Sequence, residues 1–160
     1  MDSRFKNITM TELTLQRLKA AGWTPGRKVD ITPIEEAFAK ARMQIPDKLR
    51  EFFEEFGFLT FSWGRKENMT DERHVIDPRM ELQYLSKKQF EHCFEDYGIY
   101  GTAYPVGSAY RDNMTIYYHD DGNFYLFMSP DPLIRCGNTA EGFLDGLIGD
   151  GGQDWEYMDD

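Results

Sequence analysis

Met114-Thr-Ile-Tyr-Tyr-His-Asp-Asp-Gly-Asn-Phe-Tyr-Leu-Phe-Met128 reads as two strands around a turn. Met114, Ile116 and Tyr118 alternate with other side chains, and so do Phe124, Leu126 and Met128, the period of two that a pleated strand requires. Between them stands Asp120-Asp121-Gly122-Asn123, built from the residue types that tolerate positive φ in a tight connection. Strands are expected near 113–119 and 123–129, with Gly122 supplying the left-handed position.

On the C-terminal side, Asn138 and Glu141 look like the cap of a helix whose apolar positions are Ala140, Phe143, Leu144 and Leu147. From Gly149 onward the chain is Gly-rich, holds five carboxylates and no base, and carries an isolated Trp155. On the N-terminal side, Ser86 with Gln89 predicts a capped helix with Phe90, Cys93, Phe94 and Tyr97 on one face and Gly98 at its end. His74 to Ile76 can open a short strand, 64–72 reads as a polar loop, and Leu59, Phe61 and Trp63 alternate as a half-buried strand. Before that lie only helices. Pro46 separates one over 33–45, capped by Thr32 with Pro33 and Glu35, from one over 48–56 with Leu49, Phe52, Phe53 and Phe56 as its stripe. Ile34, Phe38 and that stripe form the predicted core. An earlier helix starts at Thr9 with Glu12 and stops at Gly22, and Pro25-Gly26 suits the centre of a type II turn. Helices followed by mixed strands and helices predict one α+β domain, not a regular βαβ series.

The composition narrows the function. The chain has 160 residues, 41% hydrophobic, and a net charge of −10. Residues 1–66 hold 12 basic and 9 acidic side chains, whereas residues 67–160 hold 6 and 19. Such a surface repels phosphate backbones, which need Lys and Arg, and attracts a basic protein instead. No apolar run is long enough to span a bilayer and no apolar leader segment is visible, so a cytoplasmic protein is expected. With that compartment the Asn-x-Thr triplets at Asn7, Asn68 and Asn113 are chance matches.

Catalytic patterns are missing from the chain: there is no Gly-rich phosphate loop, HExxH, CxxC or GxSxG. Cys93 and Cys136 make neither a disulfide framework nor a zinc site. His92 and Cys93 are adjacent and therefore point about 100° apart on a helix, so they do not form a nucleophile–base pair. The Asp120–Asn123 cluster lacks the spacing of a calcium loop. Neither a metal nor another cofactor is implied, and no enzymatic activity.

Five stretches carry a resemblance. Leu18-Lys-Ala-Ala-Gly22-Trp23-Thr-Pro25-Gly26-Arg27 is a helix end followed by a GWxPGR motif; Phe53-Glu-Glu-Phe56-Gly57 follows it. Tyr104-Pro105-Val106-Gly107, the hairpin with Asp121-Gly122, and Gly137-Asn138 to Leu147 then come in that order. Over residues 10–150 the chain resembles the SUKH superfamily of bacterial immunity proteins, specifically its third family. One departure stands at Phe58, where a glycine or small residue is expected.

The resemblance implies N-terminal helices packed on a bent, mostly antiparallel sheet with a C-terminal helix. The domain would run over 1–149, followed by an acidic tail over 150–160. It further implies that the chain binds and neutralises a polymorphic toxin domain, a nuclease or deaminase, without catalysis; a general protein-interaction module of the same fold is the alternative. Gly22, Trp23, Pro25, Gly26 and Arg27 are expected to be structural, with Trp23 folding over the helix end and Arg27 bonding the last carbonyls or a buried carboxylate. Contact with a basic toxin is expected from the acidic groups Glu67, Asp71 and Glu72, from Asp120 and Asp121, and from Asp154, Trp155 and Glu156, Trp155 as an aromatic anchor.

Overall fold

The computed structural model describes residues 10–63 and 72–159. Helices α1 (Glu12–Ala20), α2 (Thr32–Lys40) and α3 (Asp47–Phe56) precede strands β1 (Thr60–Trp63) and β2 (Glu72–Val75). Two short helices follow, α4 (Arg79–Tyr84) and α5 (Lys87–Glu91), with a single 3-10 turn at Glu95–Tyr97. Strands β3 (Ala103–Ala109), β4 (Met114–His119), β5 (Phe124–Phe127) and β6 (Leu133–Arg135) lead to α6 (Ala140–Ile148) and the edge strand β7 (Glu156–Tyr157). All strands pair antiparallel with their sequence neighbours, giving one open sheet in the order β1 to β7. This is an α+β domain with the expected C-terminal helix.

The β4–β5 hairpin forms as its alternation predicts: Tyr118 faces Phe124, Ile116 faces Leu126, and Gly122 takes φ +87°. What the alternation does not reveal is that both faces of this hairpin are covered. Ile116, Tyr118, Phe124 and Leu126 are buried on one face, where Phe124 stacks on Phe143 of α6 at 4.7 Å and tilts against Phe52 of α3 at 5.0 Å. Tyr117, His119 and Tyr125 on the other face meet Phe94. The predicted core residues Ile34, Phe38, Leu49, Phe52, Phe53 and Phe56 are all buried.

The helix boundaries differ from the sequence expectation in instructive ways. Thr9 lies outside the described residues; α1 is capped by Thr11, whose hydroxyl accepts from the Thr14 N–H at 3.3 Å. At α2 the N-cap is Ile31, and Thr32 gives both its N–H and its hydroxyl to Asp30 instead of capping. Helix α2 ends at Lys40, five residues short of the expected end, because Arg42 turns left-handed at φ +62°. The Arg42 N–H then reaches the Ala39 carbonyl and Met43 N–H the Phe38 carbonyl, a Schellman closure. Helix α1 closes in the same way at Gly22.

The cap of α6 is Thr139, not Asn138; its hydroxyl accepts from the Gly142 N–H. At α5 the Ser86–Gln89 capping box forms with both hydrogen bonds, but the helix stops at Glu91 and does not run on to Tyr97.

Two residues of the quoted stretches meet tight backbone. A Cβ on Gly107 would fall 1.9 Å from the Val75 carbonyl oxygen, so glycine there lets β2 approach β3. Phe58, where a small residue is expected, takes φ +66°, a conformation glycine adopts without strain.

Candidate functional site

The GWxPGR segment is built onto the end of α3. Trp23 is buried, its N–H closes α1 on the Leu18 carbonyl, and its indole Nε1 donates to Glu55 Oε2 at 3.0 Å. Arg27 donates to the Glu55 carbonyl at 2.5 Å and to the Gly57 carbonyl at 2.9 Å. Those carbonyls belong to the terminal turn of α3, where a cation also meets the negative end of the helix dipole. Burial lowers the Arg27 pKa, and the Glu55 carboxylate opposes that shift. Pro25 and Gly26, the latter at φ +79°, make the turn that brings Arg27 across.

The candidate contact residues divide among three places. Glu67 and Asp71 lie outside the described residues. Glu72, at the start of β2, is buried and hydrogen-bonded or otherwise engaged, so it does not present a free carboxylate. Asp120 and Asp121 stand exposed at the β4–β5 tip, where each carboxylate also braces the turn. Asp120 Oδ2 accepts from the Thr102 N–H at 2.8 Å, and Asp121 Oδ1 from the Asn123 N–H at 2.9 Å. The Asp121 N–H donates to His119 Nδ1, which must therefore be unprotonated at that nitrogen.

The tip and the tail are joined. Tyr125, Arg135 and Glu156 stand in register across β5, β6 and β7. The Tyr125 hydroxyl donates to Asp121 Oδ2 at 2.6 Å, Arg135 Nε donates to the Tyr125 hydroxyl at 3.3 Å, and Arg135 Nη1 donates to Glu156 Oε1 at 2.6 Å. Burial and the Asp121 carboxylate push the Tyr125 phenol up to about 12, so it remains a donor. Asp154 is exposed, whereas Trp155 turns to the other face and stacks on Phe143 at 6.3 Å and 17°. Gly146 makes room for that ring: a Cβ there would fall 2.3 Å from it.

The glycines after α6 serve a clasp. Asp145 Oδ1 accepts from the Thr11 N–H at 2.8 Å and from the Thr14 hydroxyl at 2.5 Å, tying the first helix to the last. Burial raises the Asp145 pKa, but these hydrogen bonds outweigh it and hold the carboxyl below its ordinary value. A Cβ on Gly149 would meet Thr14 Oγ1 at 1.9 Å, and one on Gly151 would meet Asp145 Oδ2 at 2.3 Å.

One feature escaped the sequence reading. Where α5 gives way at His92, a cavity of about 470 Å³ opens, lined by Phe90, Cys93, Tyr97, Tyr117 and Phe127 among others. Cys93, expected in the core, is half-buried there, and burial pushes its thiol up to about 11, far from a reactive thiolate. The local signal was the Cys93–Tyr97 stripe, which a continuous helix would have buried. Among the described residues no cluster of His, Cys, Asp and Glu could hold a metal ion, and no helix is long and apolar enough to cross a membrane.

Residues 10–150 match the family model described as SUKH-3 immunity protein. No curated protein and no solved structure matches the chain.

Proposed function

The chain belongs to the SUKH-3 immunity protein family, and from that premise we propose that it neutralises a cognate polymorphic toxin in the cytoplasm. It does so by binding a basic nuclease or deaminase domain and blocking it sterically and electrostatically, without catalysis of its own. The observation that carries this reading beyond the family is the row from Asp121 through Tyr125 and Arg135 to Glu156. It holds the exposed carboxylates of the hairpin tip and of the C-terminal strand on one fixed surface. Three oppositely directed strands therefore present a negative patch without an ordering cost at the moment of encounter.

Arg135 neutralises part of that patch, so the net attraction comes from Asp120, Asp121, Asp154 and Glu156 together. A basic partner would be steered toward it, and salt would weaken the steering beyond ~8–10 Å.

The test is protection of cells that express the toxin encoded beside this gene, with the wild-type chain and with Asp120→Lys/Glu156→Lys. We expect wild-type protection, an association rate at least tenfold lower for the double variant, and a flatter salt dependence. Unchanged protection, rate and salt slope would move the interface away from the tip and tail. Truncation at Gly149 is a poorer test, because it also removes Trp155 from Phe143 and β7 from the sheet.

A further inference from the structure

The cavity beside α5 has the chemistry of a receptor for one kind of side chain. Its floor is Phe90 and Tyr117, both buried, and Tyr97 meets Phe127 edge-on at 6.2 Å to form one wall. Its mouth is set by Asp96, Ser129 and Pro130, all exposed. The Tyr97 hydroxyl donates to the Pro130 carbonyl at 2.6 Å and fixes that wall against the β5–β6 connection, next to Asp131. Among the described residues no lysine or arginine lines the cavity; Lys87 and Lys88 on α5 are exposed outside the lining set. Of the described lining residues His92 alone is basic, and its Nδ1 is held 2.6 Å from Glu95 Oε1.

Inside, Cys93 and Tyr117 are kept protonated by burial, so the interior is aromatic and neutral while the negative charge is confined to the rim. An anionic guest finds no lysine or arginine among the described lining residues. A purely aliphatic guest leaves the Asp96 carboxylate at the rim desolvated without compensation. A guest with a flat cation at the end of an apolar stem satisfies both parts, since guanidinium groups stack on aromatic faces and pair with carboxylates. The volume, about 470 Å³, lies within the ~300–1,000 Å³ usual for pockets that enclose a small ligand group.

We propose that this cavity is an anchor pocket for an arginine side chain of the basic partner protein, distinct from the tip-and-tail patch that steers the encounter. The proposal rests on the toxin-binding reading above. Arginine is among the residues that most often dominate binding energy at protein interfaces. The patch then governs how fast the partner arrives and the cavity how long it stays.

The probe is N-acetyl-arginine amide, titrated into the full chain while the aromatic resonances of Phe90, Tyr117 and Phe127 are followed, with N-acetyl-leucine amide and N-acetyl-glutamate amide as comparisons. We expect saturable shifts at those three rings, at least tenfold tighter for the arginine compound than for leucine, and none for glutamate. Ser129→Trp at the mouth should abolish them, and Asp96→Lys, an exposed change that leaves the core untouched, should weaken them at least threefold. Equal responses to leucine and arginine, or shifts confined to residues 119–123, overturn the proposal. In the toxin-protection assay, a wild-type chain that gives no protection sinks the immunity reading. Wild-type protection that survives both Ser129→Trp and Asp96→Lys sinks the pocket alone.

Discussion

On one face of the central hairpin, Phe124 lies nearly parallel to Phe143 at 7° and is wedged against Phe52, all three buried. On the other, Tyr117 and Phe127 share Phe94 as a neighbour, but beyond it the chain falls away and a cavity opens. The two strands are the same in both cases, so the difference lies in what covers them. Helices α3 and α6 run ten and nine residues and carry unbroken stripes; α5 runs five and hands over to a single 3-10 turn. A helix of two or more full turns can seal a sheet face, whereas an interrupted one leaves space that side chains of the domain do not fill. The sealed face holds the fold together and the open one is free to receive something else.

The largest expected effect follows from that contrast. Phe143→Ala should cost ~3–5 kcal/mol in urea unfolding, the usual loss for a buried aromatic. Phe127→Ala, at a half-buried position already bordering empty space, should cost less than half as much. Equal losses would mean that the two faces are packed alike and would break the comparison.

A second test separates the faces by pH. His74 lies on the sealed side, enclosed by Trp63, Tyr110 and Arg17, its Nδ1 accepting from the Tyr110 N–H at 3.1 Å. Burial first, and the Arg17 guanidinium second, lower its pKa to about 4. Unfolded, the ring titrates near ~6.5, so between about pH 6.5 and 4 the unfolded chain takes up a proton that the folded chain refuses. Stability should therefore fall as the pH drops through that window, by at most ~3 kcal/mol from this group. His74→Leu should flatten the wild-type slope there; an unchanged slope would show that the ring is not enclosed.

Much of this was legible in the sequence where a pattern is long enough to have a period. The β4–β5 hairpin, the α3 stripe and the α5 capping box are each specified by residues within about fifteen positions of one another. Strands β6 and β7 span three and two residues, too few for any alternation, and α4 has barely more than one turn. The site was harder still. Asp121 and Glu156 were both singled out, yet their connection through Tyr125 and Arg135 depends on register across three strands, which no local pattern encodes. Glu72 was singled out for its charge and is instead buried, since a strand position next to Trp63 and His74 faces inward.

The smallest expected effect lies away from both faces. Gly22 and Arg42 close α1 and α2 with the same pair of hydrogen bonds, but only one of them is a glycine. Arg42→Gly should raise stability by ~1 kcal/mol, because the left-handed backbone costs an L side chain about that much. A loss on this substitution would show that the arginine side chain contributes more than its backbone gives away, and would add a packing role outside the two faces.

The sheet order, with every strand beside its neighbour in sequence, has a consequence for synthesis. A chain emerging from a ribosome can pair each strand with the one just made, without waiting for a distant segment. The exception is the clasp from Thr11 and Thr14 to Asp145, which joins the start of the described chain to its end. That knot can be tied only after residue 145 has been made. Until α6 arrives, α1 lacks the Asp145 hydrogen bonds and is held by its contact with β1, where the Arg17 guanidinium lies 3.9 Å from the Trp63 ring.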